Sequence, residues 1–157
     1  LLDSAWSSTT NTFQSQVQFR VAAFGAIWYN GRSNLVFIRG QTNTTTYVQH
    51  LQAALNTHLR RLRGYYLIHD RPIWAHTTLA HDWLLSNGIR CVDNYPAVSP
   101  DLNAVESVWS WMNRYMQRNH PHSQQRLERL VQQVWNTIPQ NVIRGYINHV
   151  PNIFVIK

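Results

Sequence analysis

The sequence predicts an α/β fold, a mixed sheet flanked by helices, in one domain of residues 1–157. Short apolar segments alternate with segments in which apolar residues recur every three or four positions, which indicates strands alternating with helices. Turn and cap signals separate these segments. The chain is long enough to bury a core without disulfides, and its single cysteine provides none.

The first forty residues predict a strand, a loop and a hairpin. Asp3 follows two leucines, as on an opening strand, and the polar stretch SSTTNTFQSQ (7–16) is typical of a loop. Residues 17–40 contain two apolar strands around Asn30-Gly31, a strong hairpin signal. The first of the two strands is too apolar for simple alternation, so we expect it to be buried on both faces.

Helices and short strands then alternate along the rest of the chain. One helix follows the hairpin, and its apolar stripe comprises Tyr47, Val48, Leu51, Leu55 and Leu59. A buried strand ends at Asp70, the next helix closes at Gly88, and a further short strand follows. Ser99 predicts the cap of another helix, with Pro100 at its first position, and two final helices follow.

The charge of the chain predicts an anionic partner. The formal net charge is +7, the isoelectric point is near 10.2, and all but one of the fourteen Lys and Arg residues are Arg. Arg pairs bidentately with phosphate and stacks on bases, which favours DNA or RNA over a merely soluble surface. A simple compositional preference for Arg is the alternative. No apolar run reaches the ~20 residues of a membrane span, so we expect no membrane partner.

Three of the seven carboxylates stand out as candidate metal ligands. Asp3 belongs to the predicted opening strand, Asp70 ends a buried strand, and Glu106 lies on the apolar border of a helix. Carboxylates delivered by separate elements to one sheet edge would suit Mg²⁺, and two such ions could act on a phosphodiester. Asp101, by contrast, suits the positive end of the helix dipole.

Three segments of the chain resemble one protein family. The stretch SPDLNAVESVW (99–109) resembles the SPDLNPIENLW signature of Tc1/mariner transposases, and residues 65–89 resemble the segment that carries their second acid. The hairpin of residues 21–40 is similar to the one that precedes these motifs in the family. The resemblance covers the chain from about Val17 to its end.

The resemblance implies an RNase H-like fold and a DDE or DDD triad that binds two Mg²⁺ or Mn²⁺ ions. Carried over by motif, the second acid is Asp70 and the third is Glu106, and Asp3 is the candidate for the first. The implied function is metal-dependent DNA cleavage and strand transfer in the nucleus. The implied partners are transposon ends, target DNA and a second copy in a homodimer. The family's N-terminal DNA-binding region is expected to lie outside this chain.

Departures from the family pattern keep two other functions open. Arg71 stands where the family has Asn, Ala75 where it has His, and Ala104 where it has Pro. A domesticated DNA-binding protein without catalysis is one alternative, and an RNase H-type nuclease is the other. The candidate contacts to the DNA backbone are Arg60, Arg61, Arg63, Arg71, Arg114 and Arg118.

Overall fold

The computed structural model describes residues 5–15, 19–69, 78–91 and 104–149. Its strands are β1 (Ala5–Gln14), β2 (Arg20–Trp28), β3 (Gly31–Arg32), β4 (Val36–Ile38), β5 (Tyr66–His69) and β6 (Arg90–Cys91). Its helices are α1 (Thr44–Leu55), α2 (Leu59–Leu62), α3 (Thr78–Ser86), α4 (Ala104–Met116), α5 (Gln124–Thr137) and α6 (Gln140–Asn148).

The strands form one mixed sheet in the order β3-β2-β1-β5-β6, and β4 also pairs with β2. The pairing of β1 with β2 is antiparallel and unbroken. The pairing of β1 with β5 is parallel, from Ala5 opposite Tyr66 to Ser8 opposite His69. β6 continues the parallel part beyond β5. The predicted mixed sheet is confirmed, and β1 is its central strand.

The prediction of a loop at residues 7–16 is wrong, because β1 runs through residue 14. Its backbone groups pair with β2 on one side and, in its first half, with β5 on the other. Thr9 and Phe13 are buried, whereas Thr10 and Thr12 between them are exposed. This alternation has the two-residue period of a strand, and threonine is β-branched and suited to one. Asp3, placed on the opening strand by the sequence, lies outside the described residues.

The hairpin after β1 is close to the predicted one. β2 is buried at nearly every position, as expected of a strand covered on both faces. Trp28 pairs with Gly31, so Tyr29 and Asn30 form the two-residue turn. The predicted turn residues Asn30-Gly31 are therefore displaced by one position.

Two apolar cores lie on the two faces of the sheet. One is formed with α4, α5 and α6, and the other with α1, α2 and α3. The helix α4 packs on the sheet through a buried apolar stripe that includes Val105, Val108, Trp109 and Met112. The molecule thus has three layers, with the sheet in the middle, which is the predicted class.

The predicted helix end at Gly88 agrees with the structure, and the predicted continuation of a helix to Leu59 does not. Gly88 adopts φ 75° just after α3, as expected of a C-terminal cap. Pro139 separates α5 from α6. The stripe predicted to continue to Leu59 is interrupted instead, because α1 ends at Leu55 and the short α2 begins at Leu59. The predicted cap at Ser99 lies outside the described residues.

Candidate metal centre at the edge of the sheet

Glu106 lies in the first turn of α4 and is partly buried. Its neighbours Val105 and Val108 are fully buried, so the carboxylate sits at the border between the core and the surface. A carboxylate at such a border is costly unless a cation or a donor meets it. The sequence-based placement of Glu106 on the apolar border of a helix is confirmed.

Trp109 fixes the position of this helix over the sheet. Its indole meets the Phe13 ring edge-on, with ring centroids 5.8 Å apart, and stacks on Trp135 at 5.2 Å. Gly25 of β2 lies directly below, since a Cβ built there would come within 2.9 Å of the Trp109 ring. Only a residue without a side chain allows the indoles so close to the strand.

The direction of α4 follows from its other contacts. Met116, at the far end of the helix, lines a cleft with Thr12 and Gln14 from the last part of β1. The carboxyl ends of α4 and β1 therefore lie together. Glu106 is one turn nearer the amino end than Trp109, so it lies toward the earlier residues of β1.

Thr9 is one of these earlier residues of β1. It pairs with Gly25, the glycine under the Trp109 ring. It is 6% exposed, and it shares a face with Phe13 because the two are four residues apart on an unbroken strand. Thr9 therefore lies on the face of the sheet that α4 covers.

Asp70 and Asp3 both lie outside the described residues, and chain order says where each is attached. Asp70 comes directly after His69, the last residue of β5. Asp3 comes two residues before Ala5, the first residue of β1. Because β1 and β5 are parallel, the carboxyl end of one and the amino end of the other are opposite ends of the sheet.

The donors at this edge suit a hard cation. Carboxylate and hydroxyl oxygens are the protein ligands that Mg²⁺ and Mn²⁺ prefer. Of the residues that the structure describes here, Glu106 on α4 has a carboxylate and Thr9 on β1 has a hydroxyl. Among the described residues, no group of three or more His, Cys, Asp or Glu side chains is placed to hold a metal. The part that Asp70 takes in such a site stays a prediction.

The arginines predicted to contact DNA are exposed wherever the structure describes them. Arg114 belongs to the last turn of α4, at the other end of the helix from Glu106, and Arg118 follows it. Arg63 packs its side chain against Gly88, just before β6 begins. The structure does not bring these side chains to the carboxyl edge of β5. Arg71 lies outside the described residues.

The arginines of α2 are also far from that edge. Arg60 and Arg61 precede β5 in the chain and lie toward its amino end, beyond Tyr66. Any contact that they make with DNA is therefore at a distance from the carboxyl end of β5. Their assignment as DNA contacts stays a prediction.

Sequence reasoning missed two polar residues of this region, Thr9 and Asn11. Both lie on the α4 face of β1, and the Asn11 Nδ2 is a buried donor without a partner within the described part of the chain. The Trp109 Nε1 above them is another. The available signal was the alternation of Thr9, Asn11 and Phe13 with exposed threonines, which indicates a strand.

The mixed sheet with helices on both faces is the fold class expected from the resemblance. A family model described as DDE superfamily endonuclease matches residues 7–128. The match covers more than half of the chain and includes Asp70 and Glu106, whereas Asp3 precedes it. The chain belongs to this family.

A curated relative supports the same assignment. The chain is 24% identical over 131 residues to the Tc3 transposase of Caenorhabditis elegans, a transposable-element protein. The aligned region is 81% of this chain and 40% of that protein. The chain therefore spans less than half the length of this relative.

Solved structures agree with the fold. The catalytic domain of Mos1 mariner transposase superposes with a TM-score of 0.81 at 15% identity, covering 97% of this chain and 79% of that one. The Mos1 strand transfer complex gives 0.82 at 13% identity, covering 97% and 52%. A Mos1 catalytic domain with raltegravir and Mg gives 0.80 at 14% identity, covering 97% and 80%. The predicted Tc1/mariner resemblance and RNase H-like fold are confirmed.

Proposed function

We propose that this chain is the catalytic domain of a DDE transposase, which cleaves DNA strands and transfers the freed 3′ end to target DNA. One observation carries the proposal. In a member of the DDE endonuclease family, Glu106 lies in the first turn of α4, which packs over β1 beside β5, and the residue after β5 is Asp70. These are the second and third acids expected from the family motif.

Asp70 and Glu106 would hold Mg²⁺ or Mn²⁺. When bound, such ions reduce the charge on the scissile phosphate and activate the attacking oxygen. Mos1 catalytic-domain structures with Mn and with Mg support a divalent ion of this kind. The proposed number of ions, two, follows the family resemblance.

The protein contributes the position of Glu106. The stack of Trp109 on Trp135 anchors α4 to α5, and Phe13 joins both to the central strand. Because these side chains are 0–1% exposed, the first turn of α4 cannot slide without opening the core. The carboxylate is therefore held in place before a cation or DNA arrives.

The proposed partners are transposon ends, target DNA and a second copy of the chain. The Mos1 paired-end complex with left transposon end and the Mos1 strand transfer complex support DNA as a partner. The pairing of two ends supports a homodimer. The similarity to a transposable-element transposase of Caenorhabditis elegans supports the nucleus as the location.

A second candidate is a DNA-binding protein that has lost catalysis. The observation that favours it is the neutral Thr9 on β1, at the level where β5 ends. Such a protein would keep the fold and the basic surface without needing a divalent ion.

The Glu106→Gln variant tests the proposed enzyme. With Mn²⁺, the wild-type chain is expected to nick supercoiled DNA and to join precleaved transposon-end DNA to it, and the variant is expected to lose both activities by at least about a hundredfold. Asp82→Asn, which removes an exposed carboxylate on α3, is the matched control and should keep them. Cleavage by Glu106→Gln at the wild-type rate would overturn the assignment.

A DNA-binding measurement on the wild-type chain, made beside the nicking and joining assays, separates the two candidate functions. A wild-type chain that binds DNA but neither nicks nor joins it, with or without Mn²⁺, supports the non-catalytic protein and contradicts the enzyme.

A further inference from the structure

We infer that Thr9 takes the place of a third carboxylate in this site, so that the cation is held by two acids and one hydroxyl. Asp3 then has no part in binding it. The inference rests on the proposed function in one respect only, that Asp70 and Glu106 hold a divalent cation.

The register of the parallel strands is the first step. Ser8 pairs with His69, so Thr9 is the β1 residue just past the end of β5, where the chain continues to Asp70. Ala5 pairs with Tyr66 at the other end of β5. At roughly 3.3 Å per residue, Thr9 lies about 13 Å along the strand from Ala5. In the chain, Asp3 precedes Ala5, whereas Asp70 follows His69.

The face of the strand is the second step. A ligand shared with Glu106 must lie on the face that α4 covers, and Phe13 identifies this face through its contact with Trp109. Thr9 is on the same face, whereas its neighbour Thr10 is on the other and is exposed. Thr9 also pairs with Gly25 under the Trp109 ring, one helical turn from Glu106.

The negative charge of the ligands determines how tightly the proposed site binds a cation. A threonine hydroxyl can ligate Mg²⁺, as in nucleotide-binding loops, but it brings no negative charge. Cation affinity in oxygen sites rises with the number of charged ligands. A site of two acids and Thr9 therefore binds a divalent ion more weakly than a site of three acids, and an acid at position 9 should restore the difference.

The test measures the affinity of the whole chain for Mn²⁺, without DNA, by isothermal titration calorimetry. Thr9→Asp is expected to bind Mn²⁺ about tenfold more tightly than the wild type. Without metal its melting temperature should fall, because a third carboxylate adds like-charge repulsion, and Mn²⁺ should restore it. Thr10→Asp is the matched control, with the same change one residue away on the exposed face, and should leave Mn²⁺ affinity unchanged.

Asp3→Asn provides a second measurement that does not disturb the buried strand. The expected result is Mn²⁺ affinity equal to that of the wild type. Loss of Mn²⁺ binding in this variant, or unchanged affinity in a folded Thr9→Asp, would overturn the inference.

Failure of this inference can be distinguished from failure of the proposed function. If Glu106→Gln weakens Mn²⁺ binding but Thr9→Asp does not strengthen it, only the role of Thr9 is contradicted. If Glu106→Gln has no effect on Mn²⁺ binding, the metal site itself is contradicted.

Discussion

Gly25 shows how one missing side chain positions the candidate site. It is the β2 residue that pairs with Thr9, and it lies beneath both Trp109 and Trp135. An added Cβ would come within 2.8 Å of the Trp135 ring and 2.9 Å of the Trp109 ring. Both rings are 1% exposed, so neither has solvent to move into.

Replacing Gly25 with alanine should therefore lower the free energy of unfolding by about 1–3 kcal/mol, the usual effect of overpacking a core. Urea denaturation measures this change. The control is Gly145→Ala in α6, where a Cβ would meet nothing within 4 Å. That variant should be stabilised by about 0.5–1 kcal/mol, because alanine favours a helix interior. A Gly25→Ala variant as stable as the wild type would mean that the indoles do not press on this strand.

At the level of single elements, the residue that precedes α2 is a histidine whose proton affinity depends on the fold. His58 precedes α2, and its ring meets Trp28 edge-on at 5.3 Å. Burial lowers the pKa of His58 below its usual 6.5, and the nearby Arg61 lowers it further. The folded chain therefore favours the neutral imidazole, whereas the unfolded chain binds the proton more readily.

Because the pKa of His58 is lowered on folding, the free energy of unfolding depends on pH. The contribution of His58 is fully present above pH 6.5, the ordinary pKa of histidine, and the free energy of unfolding falls as the pH drops below this value. Between about pH 7.5 and about pH 5.5, His58→Gln should lose less stability than the wild type. Urea midpoints at the two pH values measure this difference. His50, whose pKa burial also lowers, keeps its own contribution in both proteins, so an identical loss would contradict the role of His58.

Elements with a strong local pattern could be predicted from the sequence. The apolar stripes of α4 and α5, the unbroken apolar run of β2 and the glycine after α3 each depend on residues close together in the chain. Such signals can be recognised without knowing which other elements pack against the helix or strand.

β1 could not be predicted in this way. Its polar sequence is typical of a loop, and it becomes a strand because β2 and β5 pair with both of its edges. The break between α1 and α2 was missed for a related reason. The apolar spacing continues through Leu59, but the helix ends at Leu55 and the chain turns before α2.

In the candidate site, too, a residue with a local signal was predicted and a residue placed by distant pairing was missed. Glu106 was predicted because a motif and an apolar border mark it locally. Thr9 was missed because its place beside the end of β5 depends on a register between strands that are far apart in the sequence.

On the scale of the whole molecule, the predicted DNA-contacting arginines that the structure describes lie at separate places on the surface and not at the carboxyl edge of β5. Arg60, Arg61 and Arg63 lie toward the amino ends of β5 and β6, and Arg114 lies at the far end of α4. Arg39 is paired with Glu128 at 2.8 Å and is correspondingly less available to an anion. None of the helices in the described part of the chain has the length and apolar character that a membrane crossing requires.

This distribution predicts DNA binding that is dominated by phosphate contacts and falls steeply as salt rises. If Arg114 and Arg118 each touch a phosphate, replacing both with Gln should lower the slope of log affinity against log salt by about two. Fluorescence anisotropy with a labelled duplex at several salt concentrations measures the slope. Arg39→Gln is the comparison, and its slope should change less. A salt-independent affinity for the wild type would contradict the prediction.

The position of β1 at the centre of the sheet also determines the order in which other elements can pack against it during synthesis. As the chain leaves the ribosome from its amino end, β1 and β2 can pair early, because both are complete before residue 30. β5 can join β1 only after residue 69 has emerged, and α4 can cover the strand only after its own residues follow. The proposed ligands Thr9, Asp70 and Glu106 are therefore not all present in any short nascent chain. If they hold a cation as proposed, the site can be complete only after the residues of α4 have been synthesised.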